Sequence, residues 1–223
     1  PLAGAPVAWF CAAQWPVFAP PLTARRATSE ALRRDLPWQA SYIDAIRTAL
    51  PDDGVAVVDY TQVGYVATSL MPVHRSRTLL TPGYQGTLGF AYATALGAKI
   101  GAPDRPVVCI VGDGGFMFTA NELAAAVAER ISVVAVVFVD GVFQNVRRMQ
   151  QNDHHGRTIA TKLTNPDFVA FAKSFGAQAR RVDTPEALLK ALKWGFEQSG
   201  PVVIEVPMPA ELPNPWPLIA RSP

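Results

Sequence analysis

The sequence predicts an α/β domain at residues 36–207, with a doubly wound, mainly parallel sheet and helices on both faces. Four short valine-rich runs are apolar throughout rather than alternating, as parallel strands covered on both faces are. Helix-like stretches separate these runs, and such alternation is typical of a doubly wound sheet. The chain has 223 residues, 49% of them hydrophobic, which is enough to bury the core of one globular domain.

The predicted elements begin with a helix at residues 38–50, which ends where Pro51 interrupts it. The predicted strands are residues 55–59, 107–111, 133–139 and 202–206. The other predicted helices are residues 89–100, 121–130, 166–175 and 185–198. Thr184 and Pro185 indicate a helix start, because Thr can cap a helix and Pro suits its first turn.

Residues 1–35 are expected to be a Pro-rich linker or the remnant of a preceding domain. Their apolar first part contains five prolines and no basic leader, which argues against a signal peptide or a spanning helix. The first residue is Pro1 rather than Met, so we expect that the chain was cut from something longer or processed.

Charge and cysteine content exclude several classes of partner. The formal net charge is +2, and no basic run indicates a nucleic-acid or membrane surface. The two cysteines, Cys11 and Cys109, indicate no disulfide framework, and they favour a reducing cytoplasm. Cys109 lies in a predicted strand, where a buried thiol is expected.

A glycine-rich turn follows the predicted strand at residues 107–111, and a helix is expected from about Thr119. Gly112, Gly114 and Gly115 let the backbone approach a ligand closely, and amide groups at a helix start suit a phosphate. Asp113 would repel a bare phosphate but can bind a hard cation. The combination therefore predicts a metal ion between Asp113 and a phosphate.

A second acidic residue, Asp140, ends the next predicted strand. Because adjacent parallel strands end close together, Asp113 and Asp140 could share one ion. The carbonyl of Val142 is a candidate third ligand, and two diphosphate oxygens with a water would complete the octahedron that Mg²⁺ prefers. A Gly-rich turn and an Asp-Gly pair each have purely structural explanations. The separation of twenty-five residues, from Gly115 to Val139, favours the metal site.

With this spacing the sequence resembles the thiamine diphosphate enzymes related to acetolactate synthase, specifically their C-terminal diphosphate-binding domain. The cofactor signature of that family opens with GDG and closes with a pair of Asn or Asp residues, here Val139 and Asp140. The resemblance covers about residues 36–219. Val139 stands where the family usually has Asn, so a supporting hydrogen bond is lost. The resemblance implies that Mg²⁺ is bound by Asp113, Asp140 and the Val142 carbonyl.

The resemblance also assigns the remaining cofactor contacts. Residues 81–91, TPGYQGTLGFA, are similar to the segment that seats the aminopyrimidine ring. The Gly86 carbonyl would accept a hydrogen bond from the ring amino group. Leu88 would bend the cofactor into its V shape; without the resemblance, an ordinary core leucine would be the preferred interpretation. Thr61 would contact the diphosphate or merely cap a helix. The full expected set is Thr61, Gln62, Gly86, Thr87, Leu88, Gly112, Asp113, Gly114, Gly115, Asp140, Val142 and Phe143.

Downstream residues resemble the helix that borders the family's substrate entrance. Phe143 and Gln144 stand where the family more often has Tyr and Gly, which predicts a reshaped entrance. Arg147 or Arg148 could meet the carboxylate of a 2-oxo acid, with at least one of them on a solvated face. The two histidines His154 and His155 are expected to be exposed loop residues. The tail at residues 208–223 contains PNPWPLI, which resembles the family's closing segment.

The resemblance implies a thiamine diphosphate- and Mg²⁺-dependent enzyme that decarboxylates 2-oxo acids or joins them to a second carbonyl. In the family an activating glutamate comes from another domain, so we expect this chain to need a pyrimidine-binding domain or subunit in a homo- or hetero-oligomer. One alternative is a Rossmann-type nucleotide binder. The turn argues against it, because it reads GDGG rather than GxGxxG. Another is a non-catalytic binding subunit, which Val139, Phe143 and Gln144 favour.

Overall fold

The computed structural model describes residues 22–209 and 211–219, so the predictions for residues 1–21, 210 and 220–223 lie outside the described residues. The strands are β1 (Val55–Val58), β2 (Leu79–Leu80), β3 (Val107–Gly112), β4 (Val134–Val139), β5 (Gln178–Arg181) and β6 (Val202–Pro207). The helices are α1 (Leu22–Asp35), α2 (Pro37–Ala49), α3 (Gln62–Leu70), α4 (Phe90–Gly101), α5 (Asp113–Thr119), α6 (Leu123–Ala128), α7 (Gln144–Asp153), α8 (Phe168–Ser174), α9 (Pro185–Phe196) and α10 (Trp216–Ile219). Short 3-10 turns occupy Gly83–Gln85 and Ala120–Glu122.

The strands form one parallel sheet in the order β2-β1-β3-β4-β6-β5, which confirms the predicted fold class. The four predicted strands correspond to β1, β3, β4 and β6. The prediction of four strands was incomplete, since β2 and β5 also pair at the two edges of the sheet. An edge strand carries less apolar sequence because it is covered less, and β5 reads QARR with only its alanine buried.

The predicted helices are present with shifted ends. The stretch predicted at residues 121–130 is a 3-10 turn at Ala120–Glu122 followed by α6. The predicted cap of α9 is confirmed, because the Thr184 hydroxyl accepts a hydrogen bond from the Ala187 amide. Residues 22–35, assigned to a linker or remnant, form α1, and Leu32 packs in the core with 2% exposure.

Apolar layers cover both faces of the sheet. Alternate residues of β3 point to opposite sides, so that Val108 and Ile110 pack against the layer built from α2, α3 and α9. Cys109 and Val111 pack against the other layer, which contains α4, α5 and α8. This two-sided burial explains why the strand sequences are apolar throughout. In the part of the chain that the structure describes, no helix has the length and apolar character to cross a membrane.

The strand order places a crevice at the carboxyl end of the sheet. The chain proceeds from β1 to β2 on one side, and β3 then starts the other half on the opposite side of β1. Where the winding reverses, loops diverge and leave room for a ligand. Register also brings neighbouring loops together, because Gly112 at the end of β3 lies opposite Phe138 near the end of β4.

Candidate cofactor-binding site

A cavity of about 220 Å³ is lined by residues that follow β1, β3 and β4. All the predicted cofactor-binding residues except Thr87 line it; Thr87 is exposed and is not among the lining residues. Further residues line the cavity but were not predicted from the sequence to bind the cofactor. They are Tyr60, Tyr65, Gln144, Asn145, Val146, Arg148, Asn214, Pro215 and Trp216.

Helix α5 begins at Asp113 itself, so the prediction of a helix from about Thr119 was wrong. Glycines disfavour a helix interior and therefore suggested a loop. Gly114 and Gly115 instead occupy the first turn, where helical amides have no acceptor within the helix. Asp113 in this first turn stabilises the start of the helix, because its negative charge lies at the positive end of the helix dipole. The strand thus leads directly into the helix start that lines the cavity.

The Asp113 carboxylate joins three segments of the chain. It accepts hydrogen bonds from the amide of Gly114 at 2.9 Å and from the amide of Gly141 at 2.8 Å. The Asn165 side-chain amide donates to it at 2.6 Å. Asp113 is 3% exposed, so these three donors satisfy a carboxylate that water reaches little. Asn165 was not predicted: it lies far along the chain in a loop, and no periodicity marks it.

Asp140 lines the same cavity and is electrostatically coupled to Asp113. Burial raises the pKa of Asp140 to about 6, and the negative charge of Asp113 contributes to this rise. The amide of Val142 donates to its carboxylate at 3.0 Å. A cation near both groups would offset their repulsion. The charge pattern therefore suits a positive ion between the two loops.

The available donors are those of a hard cation. The Val142 carbonyl accepts from the Gln144 amide at 2.9 Å, which leaves its second lone pair for another partner. The described residues contain no cluster of three or more His, Cys, Asp or Glu side chains able to hold a metal. Two carboxylates and a carbonyl remain, and such oxygen donors suit Mg²⁺ when ligand oxygens and water complete the shell.

Two glycines have backbone reasons to be glycine. A Cβ on Gly114 would lie 2.4 Å from the ring carbon Cε1 of Phe143, so a side chain there would displace that ring from the cavity wall. Gly86 has a φ of 62°, in the left-handed region that other residues rarely adopt. Close approach and turn geometry therefore both restrict these positions.

A second buried carboxylate, Asp59, holds the segment that follows the lining residues Gly86 and Leu88. It follows β1, is 1% exposed and accepts hydrogen bonds from the amides of Gly89 at 3.0 Å and Ala91 at 3.2 Å. These amides belong to the start of α4, next to the segment that contains Gly86 and Leu88. Burial raises the pKa of Asp59, and the amide hydrogen bonds oppose this rise. From the sequence, Asp59 was predicted only as the end of a strand.

The family assignment rests on a match that spans this site. A model of the family described as "Thiamine pyrophosphate enzyme, C-terminal TPP binding domain" matches residues 59–206. The matched stretch begins at Asp59 and contains the glycine-rich turn and Asp140. The chain belongs to this family. The predicted resemblance is therefore confirmed, and the match decides against a Rossmann-type nucleotide binder.

Similar members of the thiamine pyrophosphate enzymes are longer proteins. The chain is 34% identical over 191 residues to a probable 2-ketoarginine decarboxylase of Pseudomonas aeruginosa, covering 83% of this chain and 34% of the relative. It is 34% identical over 166 residues to an acetolactate synthase of Bacillus subtilis, covering 74% of this chain and 29% of the relative. A solved 4-hydroxybenzoylformate decarboxylase of Rhodococcus jostii RHA1 superposes with a TM-score of 0.71 at 26% identity, covering 78% of this chain and 33% of that one. The chain thus spans about a third of their length.

Two residues at the end of β1 have groups available for a thiamine diphosphate ligand. The amide oxygen of Gln62 is buried and has no hydrogen-bond partner among the described residues. Thr61 stands at the N-cap position of α3, but its side chain caps no amide, so the capping explanation is not supported. An unpaired buried polar atom such as the Gln62 oxygen is rare in folded proteins, and both residues line the cavity. Both therefore fit a polar ligand of this enzyme family.

The tail contributes to the cavity wall of this thiamine pyrophosphate enzyme domain. Asn214, Pro215 and Trp216 line the cavity. The Gln39 side chain donates to the Pro213 carbonyl at 3.3 Å, and Arg148 donates to the Asn214 side-chain oxygen at 2.8 Å. These contacts attach the tail to α2 and α7.

The candidate polar residues of α7 separate into two groups. Arg148 is half-buried and lines the cavity, whereas Arg147 is exposed and does not. The histidines His154 and His155 lie exposed directly after α7, as predicted. Arg148 is therefore the basic side chain of this helix that faces the site.

Proposed function

We propose that the chain is the diphosphate- and Mg²⁺-binding part of a thiamine diphosphate-dependent enzyme that decarboxylates 2-oxo acids or joins them to a second carbonyl. The observation that carries the proposal is the pair of coupled carboxylates, Asp113 and Asp140, beside glycine amides in one cavity. The family match supports the cofactor, and the names of the relatives, decarboxylases and an acetolactate synthase, support the reaction class.

Each part of the cavity has a proposed task. Asp113, Asp140 and the Val142 carbonyl would hold Mg²⁺, and the Gly114 and Gly115 amides would bind the diphosphate. At the other end, the Gly86 carbonyl would orient the pyrimidine amino group, and Leu88 would support the cofactor's bent form. When bound, thiamine diphosphate supplies the electron sink that bond cleavage next to a carbonyl requires. The chain itself anchors, orients and shields that group.

We further propose that activity requires a pyrimidine-binding domain or subunit. The chain spans about a third of its longer relatives, which supports an additional polypeptide segment as the source of the activating glutamate. The complete active site would then form between two domains, and an oligomer would supply the second domain. A cytoplasmic location is also proposed, because Cys109 is a buried free thiol that suits a reducing compartment.

Calorimetric titration tests the cofactor assignment. Wild-type chain is titrated with thiamine diphosphate in the presence of Mg²⁺ or of EDTA, and separately with NAD. We expect binding that requires Mg²⁺, is lost in Asp113→Ala and is retained in Asp153→Ala, an exposed acidic control on α7. Tight binding of NAD, or thiamine diphosphate affinity that is the same in EDTA, would contradict the assignment.

A second candidate function is a non-catalytic thiamine diphosphate-binding subunit. Phe143 and Gln144 line the cavity and depart from the residues that the family more often has. Val139, the third such departure, directly precedes the lining residue Asp140. Mixing the chain with a pyrimidine-binding domain of a relative and measuring pyruvate consumption separates the two. Turnover above that of the added domain alone supports the enzyme; cofactor binding by the mixture without turnover supports the binding subunit.

A further inference from the structure

Arg148 carries a positive charge into the cavity without a carboxylate to neutralise it. The side chain is half-buried on α7 and lines the cavity wall. Among the described residues it belongs to no ion pair. Its hydrogen bond is to the neutral side chain of Asn214, through Nη1 at 2.8 Å. A guanidinium has five N–H donors, so most of its donor capacity is open to a ligand.

The surroundings of Arg148 strengthen its attraction for an anion. Burial lowers the pKa of Arg148, and the nearby Tyr65 opposes this effect. The Trp216 ring packs edge-on against Tyr65, with centroids 5.7 Å apart, so the charge lies beside aromatic groups rather than in open water. Partial desolvation makes a charge-assisted hydrogen bond stronger than it would be at the surface. An unpaired charge in such a position favours a ligand of opposite sign.

The cavity wall therefore carries charges of opposite sign. Asp113 and Asp140 contribute negative charge, and the charge of Asp113 disfavours ionisation of Asp140. Arg148 contributes positive charge, where α7 meets the tail. The diphosphate and its metal are assigned to the acidic loops. The guanidinium is consequently available for the other anionic group that a 2-oxo acid reaction brings into the cavity.

We propose that Arg148 binds the carboxylate of the 2-oxo acid substrate, an inference that rests on the proposed function. A planar guanidinium matches a carboxylate through two parallel N–H donors. Such a contact orients the substrate and selects a 2-oxo acid over a neutral carbonyl compound of the same shape. Arg147, adjacent in sequence but exposed, makes no such contact and is the matched control.

The test compares oxamate, a 2-oxo acid analogue with a carboxylate, with its neutral amide oxamide. Dissociation constants are measured by ligand-observed NMR on the full chain, with and without thiamine diphosphate and Mg²⁺. We expect Arg148→Met to weaken oxamate binding about tenfold or more, because a charge-assisted pair is lost. Arg148→Lys should retain part of the affinity, and Arg147→Met all of it. Oxamide binding should be the same in all variants.

A variant at Asn214 separates anion binding from support of the tail. Asn214→Ala removes the bond to the tail but leaves the guanidinium in place, so oxamate affinity should be retained or increased. Equal losses in Asn214→Ala and Arg148→Met would show that Arg148 only supports the tail, and would overturn the inference. If circular dichroism shows that Arg148→Met is unfolded, Asn214→Ala is compared with Arg148→Lys instead, and equal losses of oxamate affinity in these two variants would overturn the inference.

The remaining outcomes distinguish this inference from the proposed function. Unchanged oxamate binding by folded Arg148→Met, with thiamine diphosphate still bound, overturns the inference alone. If oxamate binding depends on Arg148 but thiamine diphosphate does not bind, even after a pyrimidine-binding domain of a relative is added, the anion site is supported and the proposed function is overturned. Inorganic pyrophosphate with Mg²⁺ is titrated as well; if Arg148→Met loses this ligand and keeps oxamate, Arg148 binds the diphosphate and the inference is wrong.

Discussion

Asn165 fixes the direction of the carboxylate that is proposed to bind the metal, through its 2.6 Å hydrogen bond to Asp113. Residues that orient metal ligands affect metal affinity strongly, and we expect Asn165→Ala to lower Mg²⁺ affinity about 10- to 100-fold. Titration of Mg²⁺ at saturating thiamine diphosphate measures the change. Asn152→Ala, an exposed asparagine on α7, should leave it unaltered. Wild-type Mg²⁺ affinity in Asn165→Ala would contradict this role.

The raised pKa of Asp140 predicts how the metal-free chain responds to pH. Because the fold favours protonated Asp140, its contribution to stability is full below the ordinary pKa of 3.8 and is lost as pH rises through about 6. Asp140→Asn carries no charge, so we expect it to be more stable than wild type above pH 7 in EDTA. The stability difference, from urea unfolding, should grow between pH 4 and 7. A constant difference would refute this coupling.

Individual site residues differ in how visible they are in the sequence. Asp113 and Asp140 directly follow apolar strands, where parallel sheet topology alone brings side chains together. Asn165 and Asp59 act through hydrogen bonds to segments distant in sequence, and neither strand period nor helix period indicates such partners. Thr87 was selected by its place in a motif, but only the backbone conformation decides which residues of that turn line the cavity.

At the scale of elements, Asp59 connects the end of β1 to the start of α4. We expect Asp59→Ala to lower the free energy of unfolding by about 2 kcal/mol, since the amides of Gly89 and Ala91 would lose a buried acceptor. Urea unfolding measures the loss. Asp104→Ala, an exposed acidic control, should change stability little. Equal stability of the two variants would mean that water or other groups replace the carboxylate.

The central strands were predictable and the edge strands were not. Residues of β3 and β4 are buried on both faces, so hydrophobicity identifies them without a periodic pattern. By contrast, β2 is two residues long and β5 is largely polar, and both are defined by backbone pairing with one neighbour. Helix α5 was misplaced for a related reason: Gly114 permits the close approach of Phe143, although glycine has a low helix propensity.

At the scale of the whole molecule, the C-terminal segment connects distant parts of the chain. Deleting residues 211–223 should reduce the free energy of unfolding by about 1–2 kcal/mol, because the Gln39 and Arg148 side chains each lose a hydrogen-bond partner. The Trp216 contact with Tyr65 is also lost. Urea unfolding measures this loss, and a chain lacking only residues 220–223 keeps these contacts as a control. Equal stability of the two shortened chains would refute the role of the tail.

The hydrogen bond from the Gly141 amide to Asp113 has a thermodynamic consequence. It fastens two loops together in the absence of ligand, so their conformational entropy is lost when the chain folds rather than when the cofactor arrives. Preorganisation of this kind makes affinity depend on the integrity of the surrounding fold. Substitutions that loosen the ends of β3 and β4 would therefore weaken the cofactor complex even where they contact neither metal nor phosphate.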